Sequence, residues 1–172
     1  MTHLLAITIA APAIAGAVLL VVPAGQRLGM RVVSLLGALV SLGAAIQVAL
    51  QYDRTVGGLQ LLETVPLVPS LGIHLKPAVD GWGVALLLLT GVIIVTGVLA
   101  SWSVARRDKE FFLLLLVLVS GVFGVFVAQD LFVFFLFYEI AVLPMYLLIG
   151  IWGSSHEVPA SGPFKFAWRR FA

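Results

Sequence analysis

Five long apolar runs dominate this sequence and leave it few ways to fold. They lie at Leu4–Val22, Val32–Leu50, Gly81–Ser103, Phe111–Ala128 and Leu131–Ile151. A helix rises about 1.5 Å per residue, so each run is long enough to cross the roughly 30 Å of hydrocarbon in a bilayer. No water reaches the backbone there, so a crossing segment must close its own hydrogen bonds as a helix. Composition narrows the class further. Of the residues, 62% are apolar and 10% are charged, against about 25% charged in an ordinary soluble domain. That is too little charge to cover a wetted surface and too much hydrophobicity for disorder. The expected fold class is an all-α membrane protein with five transmembrane helices, residues 1–172 forming a single transmembrane region. The alternative for the first run, a cleaved secretory segment, lacks its basic leader, because only Met1, Thr2 and His3 precede it.

Charge sets the orientation. One set of alternate loops holds Arg27, Arg31, Arg106, Arg107, Lys109, Lys165, Arg169 and Arg170, and the other holds Arg54 and Lys76. Short cytoplasmic loops concentrate Lys and Arg. The N-terminus is therefore expected outside and the C-terminal segment, residues 153–172, in the cytoplasm. Tyr52 and Trp82 fall at outer ends, Trp102 and Trp152 at inner ends, where rings that are part wet and part dry are favoured. The basic residues thus read as topology, and no nucleic-acid partner is expected.

The outer loop, residues 51–80, is the only sizeable segment outside the runs. Leu59–Glu63 and Ile73–Leu75 could be short strands around a turn rich in Pro and Gly, including Pro66, Pro69, Gly72 and Pro77. In the second run, Ser34 and Ala38, and Gly37, Ser41 and Ala45, put small residues on one helix face, which allows a second helix close. Gln129 and Asp130 alone join the fourth and fifth runs, so these must be antiparallel neighbours.

Cysteine is absent, which excludes disulfides, thiolate metal sites, iron–sulfur clusters and thiol catalysis within this chain. Neither G-x-G-x-x-G nor G-x-x-x-x-G-K-[ST] occurs, so no nucleotide fingerprint is present. His3, His74 and His156 are scattered and lack the spacing of metal ligands. No cofactor and no metal are expected in this chain.

Within the five runs one carboxylate stands out. Glu139 lies eight residues after Leu131, about 12 Å into the hydrocarbon. A charge there costs about 2.5–3.5 kcal/mol on insertion scales. Such residues belong by default to ion or proton pathways, the bland alternative being a neutral, hydrogen-bonded acid within a bundle. Pro144 has no N–H to give to the carbonyl of Ile140, one position past Glu139, and the freed group can host water or a polar partner, or mark a dry kink. Tyr138 and Tyr146 either extend a polar path or pack. Asp80 and Asp130 immediately precede runs and suit N-caps. The cluster Arg106, Arg107, Asp108, Lys109 and Glu110 reads as a solvated turn.

The run from Ala128 through Asp130, Tyr138 and Glu139 to Leu143-Pro144-Met145-Tyr146 and Gly150-Ile151-Trp152-Gly153 closely resembles the antiporter-like subunit M family of bacterial NADH:quinone oxidoreductase, respiratory complex I. Val65-Pro66-Leu67-Val68-Pro69-Ser70-Leu71-Gly72-Ile73, Val79-Asp80-Gly81, Ala100-Ser101-Trp102 and Lys109-Glu110-Phe111 match the same family in the same order. The resemblance covers roughly residues 59–153. It implies the first part of a fourteen-helix antiporter-like fold built from two inverted five-helix repeats. It also implies that Glu139 belongs to the proton-translocating set, whose lysine partner lies on a later helix, and that electrons never enter the subunit. Lys165 is not that partner. Read this way, the chain is an N-terminal fragment holding the first two helices of the first repeat.

The expected function is thus that of a proton-translocating subunit of NADH:quinone oxidoreductase, coupling quinone reduction to proton pumping from the bacterial inner membrane. Its expected partners are the lipid bilayer and the other membrane subunits of complex I, with no NADH or quinone site of its own. A subunit of a multi-subunit cation/proton antiporter or membrane hydrogenase is the nearest alternative. A non-transporting membrane scaffold or assembly protein is the alternative of another class.

Overall fold

The computed structural model describes residues 3–23, 25–62, 65–68, 73–75, 77–104 and 107–153. Glu63, Pro69, Gly72, Lys76, Arg106, His156, Lys165, Arg169, Arg170 and the rest of the C-terminal segment from 154 lie outside these residues. Among the described residues five α-helices are present: α1 Leu4–Val21, α2 Arg27–Gln51, α3 Gly81–Ala100, α4 Asp108–Val127 and α5 Leu131–Trp152. All five are long and apolar enough to cross a membrane.

Helix starts and apolar runs do not coincide everywhere. The second apolar run begins at Val32, whereas α2 begins at Arg27. The fourth begins at Phe111, whereas α4 begins at Asp108. Hydropathy marks the part of a helix that sits in hydrocarbon, while the backbone ladder continues past it where long charged side chains can reach water or a partner. Arg27 and Asp108 find each other, Nε to Oδ2 at 3.4 Å. The third run ends earlier than Ser103 as an α-helix, because α3 tightens at Ser101–Ser103 into a 3-10 turn, a common way to close a helix end.

α4 is the hub of the bundle and touches α1, α2, α3 and α5. Its buried side chains Phe112, Leu116 and Phe123 join Leu5 and Leu19 of α1, Met30 of α2 and Leu87 and Ile94 of α3 in one core. The small-residue face of α2 is buried as its spacing required, with Ser34, Gly37, Ala38, Ser41 and Ala45 all inside. A Cβ on Gly37 would lie 2.5 Å from that of Ala15, so α1 and α2 approach to a distance that only glycine permits there. Buried hydroxyls satisfy themselves on backbone carbonyls: Thr8 donates to Leu4, Ser34 to Met30 and Ser41 to Gly37. Ser120 of α4 reaches across to the carbonyl of Ile9 at 2.8 Å. Pro12 lies inside α1 and has no N–H to give to the carbonyl of Thr8, the residue just before Ile9.

The loop between α2 and α3 folds back onto the helix ends. Its hairpin pairs β1 Val65–Val68 with β2 Ile73–Leu75 in antiparallel register, Val65 opposite Leu75 and Pro66 opposite His74, with an irregularity between Pro66 and Val68. The first strand therefore lies later than Leu59–Glu63. Gln60 instead makes an isolated bridge with Val79. A two-stranded sheet is all edge, which is where proline is tolerated in a strand. Ala78 N–H donates to the Val127 carbonyl at 3.1 Å, and Gln129 Nε2 donates to the Ala78 carbonyl at 3.2 Å. The loop is thereby tied to the α4–α5 connection.

Candidate functional site

Asp130 starts α5. Its Oδ1 accepts from the N–H groups of Phe132 and Val133 at 2.8 and 3.3 Å, which satisfies two of the free donors at the helix start. Asp80 does the same for α3, accepting from Gly83 N–H at 2.7 Å. Both carboxylates therefore act as caps, as their positions suggested.

α5 rests chiefly on α4. The close approach is made at Gly121 and Gly124, which meet Phe137 and Ala141 of α5. Of the 22 residues in α5, Val133 and Pro144 are the buried ones. Val133, Phe137, Ala141 and Pro144 follow each other at three- and four-residue steps, so they form the face toward α4. Glu139 is two residues from Phe137 and two from Ala141. At about 100° per residue, its side chain points away from α4. It is exposed in this five-helix bundle. Phe135, Leu143 and Tyr146, each more than half exposed, share that open face. No hydrogen bond or ion pair from the described residues reaches its carboxylate. Tyr138, next to it, stacks on Phe134 with ring centroids 6.3 Å apart. The helix thus carries one acid near its middle, on a face that its own bundle leaves uncovered.

The basic end is built by the end of α1, the starts of α2 and α4 and the ends of α3 and α5. Lys109 Nζ donates to the carbonyls of Leu20 and Val22 at 2.9 and 2.8 Å, capping α1 from a residue far along the chain. Arg31 lies 5.6 Å over the Trp102 ring. Arg107 and Glu110 pair at 2.9 Å. Asp108 is buried, so this cluster is less solvated than its composition suggested. Sequence reasoning missed the Lys109 cap, because its partners are backbone carbonyls with no mark in the sequence. At the other end, Asp53 is held below the usual carboxylate range, first by the Thr55 hydroxyl at 2.6 Å and then by the Thr55 N–H. Among the described residues, no three His, Cys, Asp or Glu side chains gather into a metal-binding group.

No family model matches the chain. Over 113 residues, 66% of this chain, it is 42% identical to NAD(P)H-quinone oxidoreductase chain 4 2 of Thermosynechococcus vestitus, of which this covers 21%. It is a homologue of these antiporter-like chain 4 subunits. Chain 4 and subunit M are two names within one family. A chain of respiratory complex I from Thermus thermophilus, solved with bound NADH, superposes with a TM-score of 0.69 at 26% identity, covering 86% of this chain and 29% of that one. The fold is also that of a chain in an archaeal membrane-bound sulfane sulfur reductase, a respiratory membrane complex, with a TM-score of 0.71, 23% identity, and 86% and 23% of the two chains covered. The chain spans about a fifth of the length of the curated chain 4 relatives it matches.

Proposed function

We propose that this chain supplies the first five helices of a proton-translocating membrane subunit of an NADH:quinone oxidoreductase in the bacterial inner membrane, with Glu139 as a proton-carrying group. The observation that carries this reading is the placement of Glu139 on the open face of α5. A carboxylate facing hydrocarbon costs about 2.5–3.5 kcal/mol. The uncovered face therefore fits against further helices, which a subunit as long as the chain 4 relatives would provide. There the carboxyl exchanges a proton with a neighbouring cation and a water chain. The carbonyl freed at Pro144 offers an adjacent polar group on the same helix. No step of electron transfer is assigned to these residues. The other membrane subunits of the complex and the bilayer are its partners, and the N-terminus faces outward with the Arg27–Lys109 end in the cytoplasm.

A place in a cation/proton antiporter or membrane hydrogenase is the second reading. The likeness to the sulfane sulfur reductase chain is one of fold alone and is shared with the complex I chain, whereas 42% identity to a chain 4 subunit favours the first reading. A chimera separates them. Residues 3–153 are grafted in place of the homologous part of a chain 4 subunit, and NADH-driven proton uptake is followed in inverted vesicles. Uptake restored to a large fraction of the parent's supports the first reading. An assembled complex that oxidises NADH without moving protons would count against it.

A further inference from the structure

A groove of about 430 Å³ opens at the basic end of the bundle, between the end of α1, the first two turns of α4 and the end of α5. Arg107, Lys109 and Glu110 form its rim, and Leu113, Leu114 and Ile151 line it further in. Leu113 and Leu114 follow Lys109 by four and five residues, which puts them about 6–7.5 Å deeper along α4. Trp152 packs edge-on against Phe111 at 5.4 Å beside this groove, and Trp102 stands at the same end. Tryptophan favours the headgroup level of a bilayer. The rim cations therefore sit at the depth of lipid phosphates and the leucines at the depth of acyl chains.

The charge balance selects the occupant. At this end the described charges are Arg27, Arg31, Arg107 and Lys109 against Asp108 and Glu110, a net surplus of positive charge. Asp108 is engaged by Arg27 and Glu110 by Arg107, so both carboxylates at this end already face a cation. The ammonium of Lys109 has three donors, of which two go to Leu20 and Val22. The Arg107 guanidinium is half-exposed and gives its Nε to Glu110, with further N–H groups on the same fork. Basic grooves between transmembrane helices suit anionic headgroups. We propose that this groove seats one anionic phospholipid, its phosphate on Arg107 and Lys109 and an acyl chain along Leu113, Leu114 and Ile151.

The test uses the full 172-residue chain in neutral detergent, offered dioleoylphosphatidylglycerol or dioleoylphosphatidylcholine, with retained lipid counted by native mass spectrometry. One phosphatidylglycerol should stay bound and phosphatidylcholine should not. Arg107→Gln, a change at a half-exposed side chain, should lower retention about tenfold, the worth of one charged hydrogen bond. Leu114→Trp keeps every charge but fills the acyl floor, and should lower retention as well. Excess inorganic phosphate should not displace the lipid. Equal retention of both lipids, an unchanged count in either variant with wild-type helicity, or displacement by phosphate alone would overturn the proposal. In an assembled complex, a photo-crosslinker at Leu114 should capture lipid. Capture of a protein helix there would show that the groove has a different occupant and would overturn it too.

Discussion

Gly121→Ala should loosen α5 from the bundle. A Cβ at this position would lie 2.7 Å from the Ala141 nitrogen and 2.9 Å from the Phe137 carbonyl oxygen. Both are backbone atoms of a helix, so neither can swing aside. Ordinary contact begins near 3.4 Å, so α5 must retreat by about 0.7 Å along the approach, and overpacking of this kind costs about 1–3 kcal/mol. α5 rests chiefly on α4, so the cost falls on one interface. It should raise the population of α5 opened away from α4 about 5- to 150-fold. The chain has no cysteine, which allows a single probe at Val133, 2% exposed on the face toward α4. The labelling rate of Val133→Cys with a maleimide in mild detergent reports that opening. Gly97→Ala is the control, because a Cβ there meets nothing within 4 Å, and its labelling rate should match that of the parent. A Gly121→Ala rate equal to that of Gly97→Ala would refute the claim that α4 and α5 are held by glycine-permitted contact.

Three other perturbations address separate parts of the account. For orientation, Gly57→Cys should react with an impermeant thiol reagent from outside and Ser103→Cys should not, and the opposite pattern would invert the assigned topology. Ser120→Ala removes the hydroxyl bond to Ile9 and should cost about 0.5–1.5 kcal/mol in reversible SDS unfolding, a loss that Ser120→Thr should largely restore. Asp53 is held low by Thr55, so its folded value lies under its unfolded one. The turn's added stability is then present above the unfolded value and lost as pH falls through the folded one. Protection of the Thr55 amide from exchange should fall with acid by more than intrinsic chemistry explains, and Asp53→Asn should abolish that excess.

Much of this architecture was legible because hydrocarbon leaves an apolar run one backbone solution. The helix count, the packed small-residue face of α2, the Asp80 and Asp130 caps and the α4–α5 pairing all follow from local residue types and spacing. The starts of α2 and α4 were less legible, since Arg27 and Asp108 belong to helices whose apolar parts begin later. The first strand was misplaced by several residues because Pro66 reads as a breaker, although an edge strand accepts it. The depth of Glu139 could be counted from Leu131, but the side it faces could not be read without a partner. Val133, Phe137, Ala141 and Pro144 become the packed face only once Gly121 and Gly124 are known to meet them. The Lys109 and Ser120 bonds join residues about ninety and more than a hundred positions from their backbone partners. They leave no local pattern to find.

The assignment of Glu139 is tested most directly by proton movement in an assembled complex carrying Glu139→Gln. Glutamine keeps the size and hydrogen bonding of the side chain but cannot ionise. Assembly should survive, because removing a charge from mid-membrane lowers an insertion cost. With NADH as donor and uptake into inverted vesicles normalised to complex content, Gln should strongly lower pumping while Glu139→Asp keeps much of it. Undiminished pumping by the Gln variant would contradict the account and leave Glu139 as a hydrogen-bonding group of structure alone.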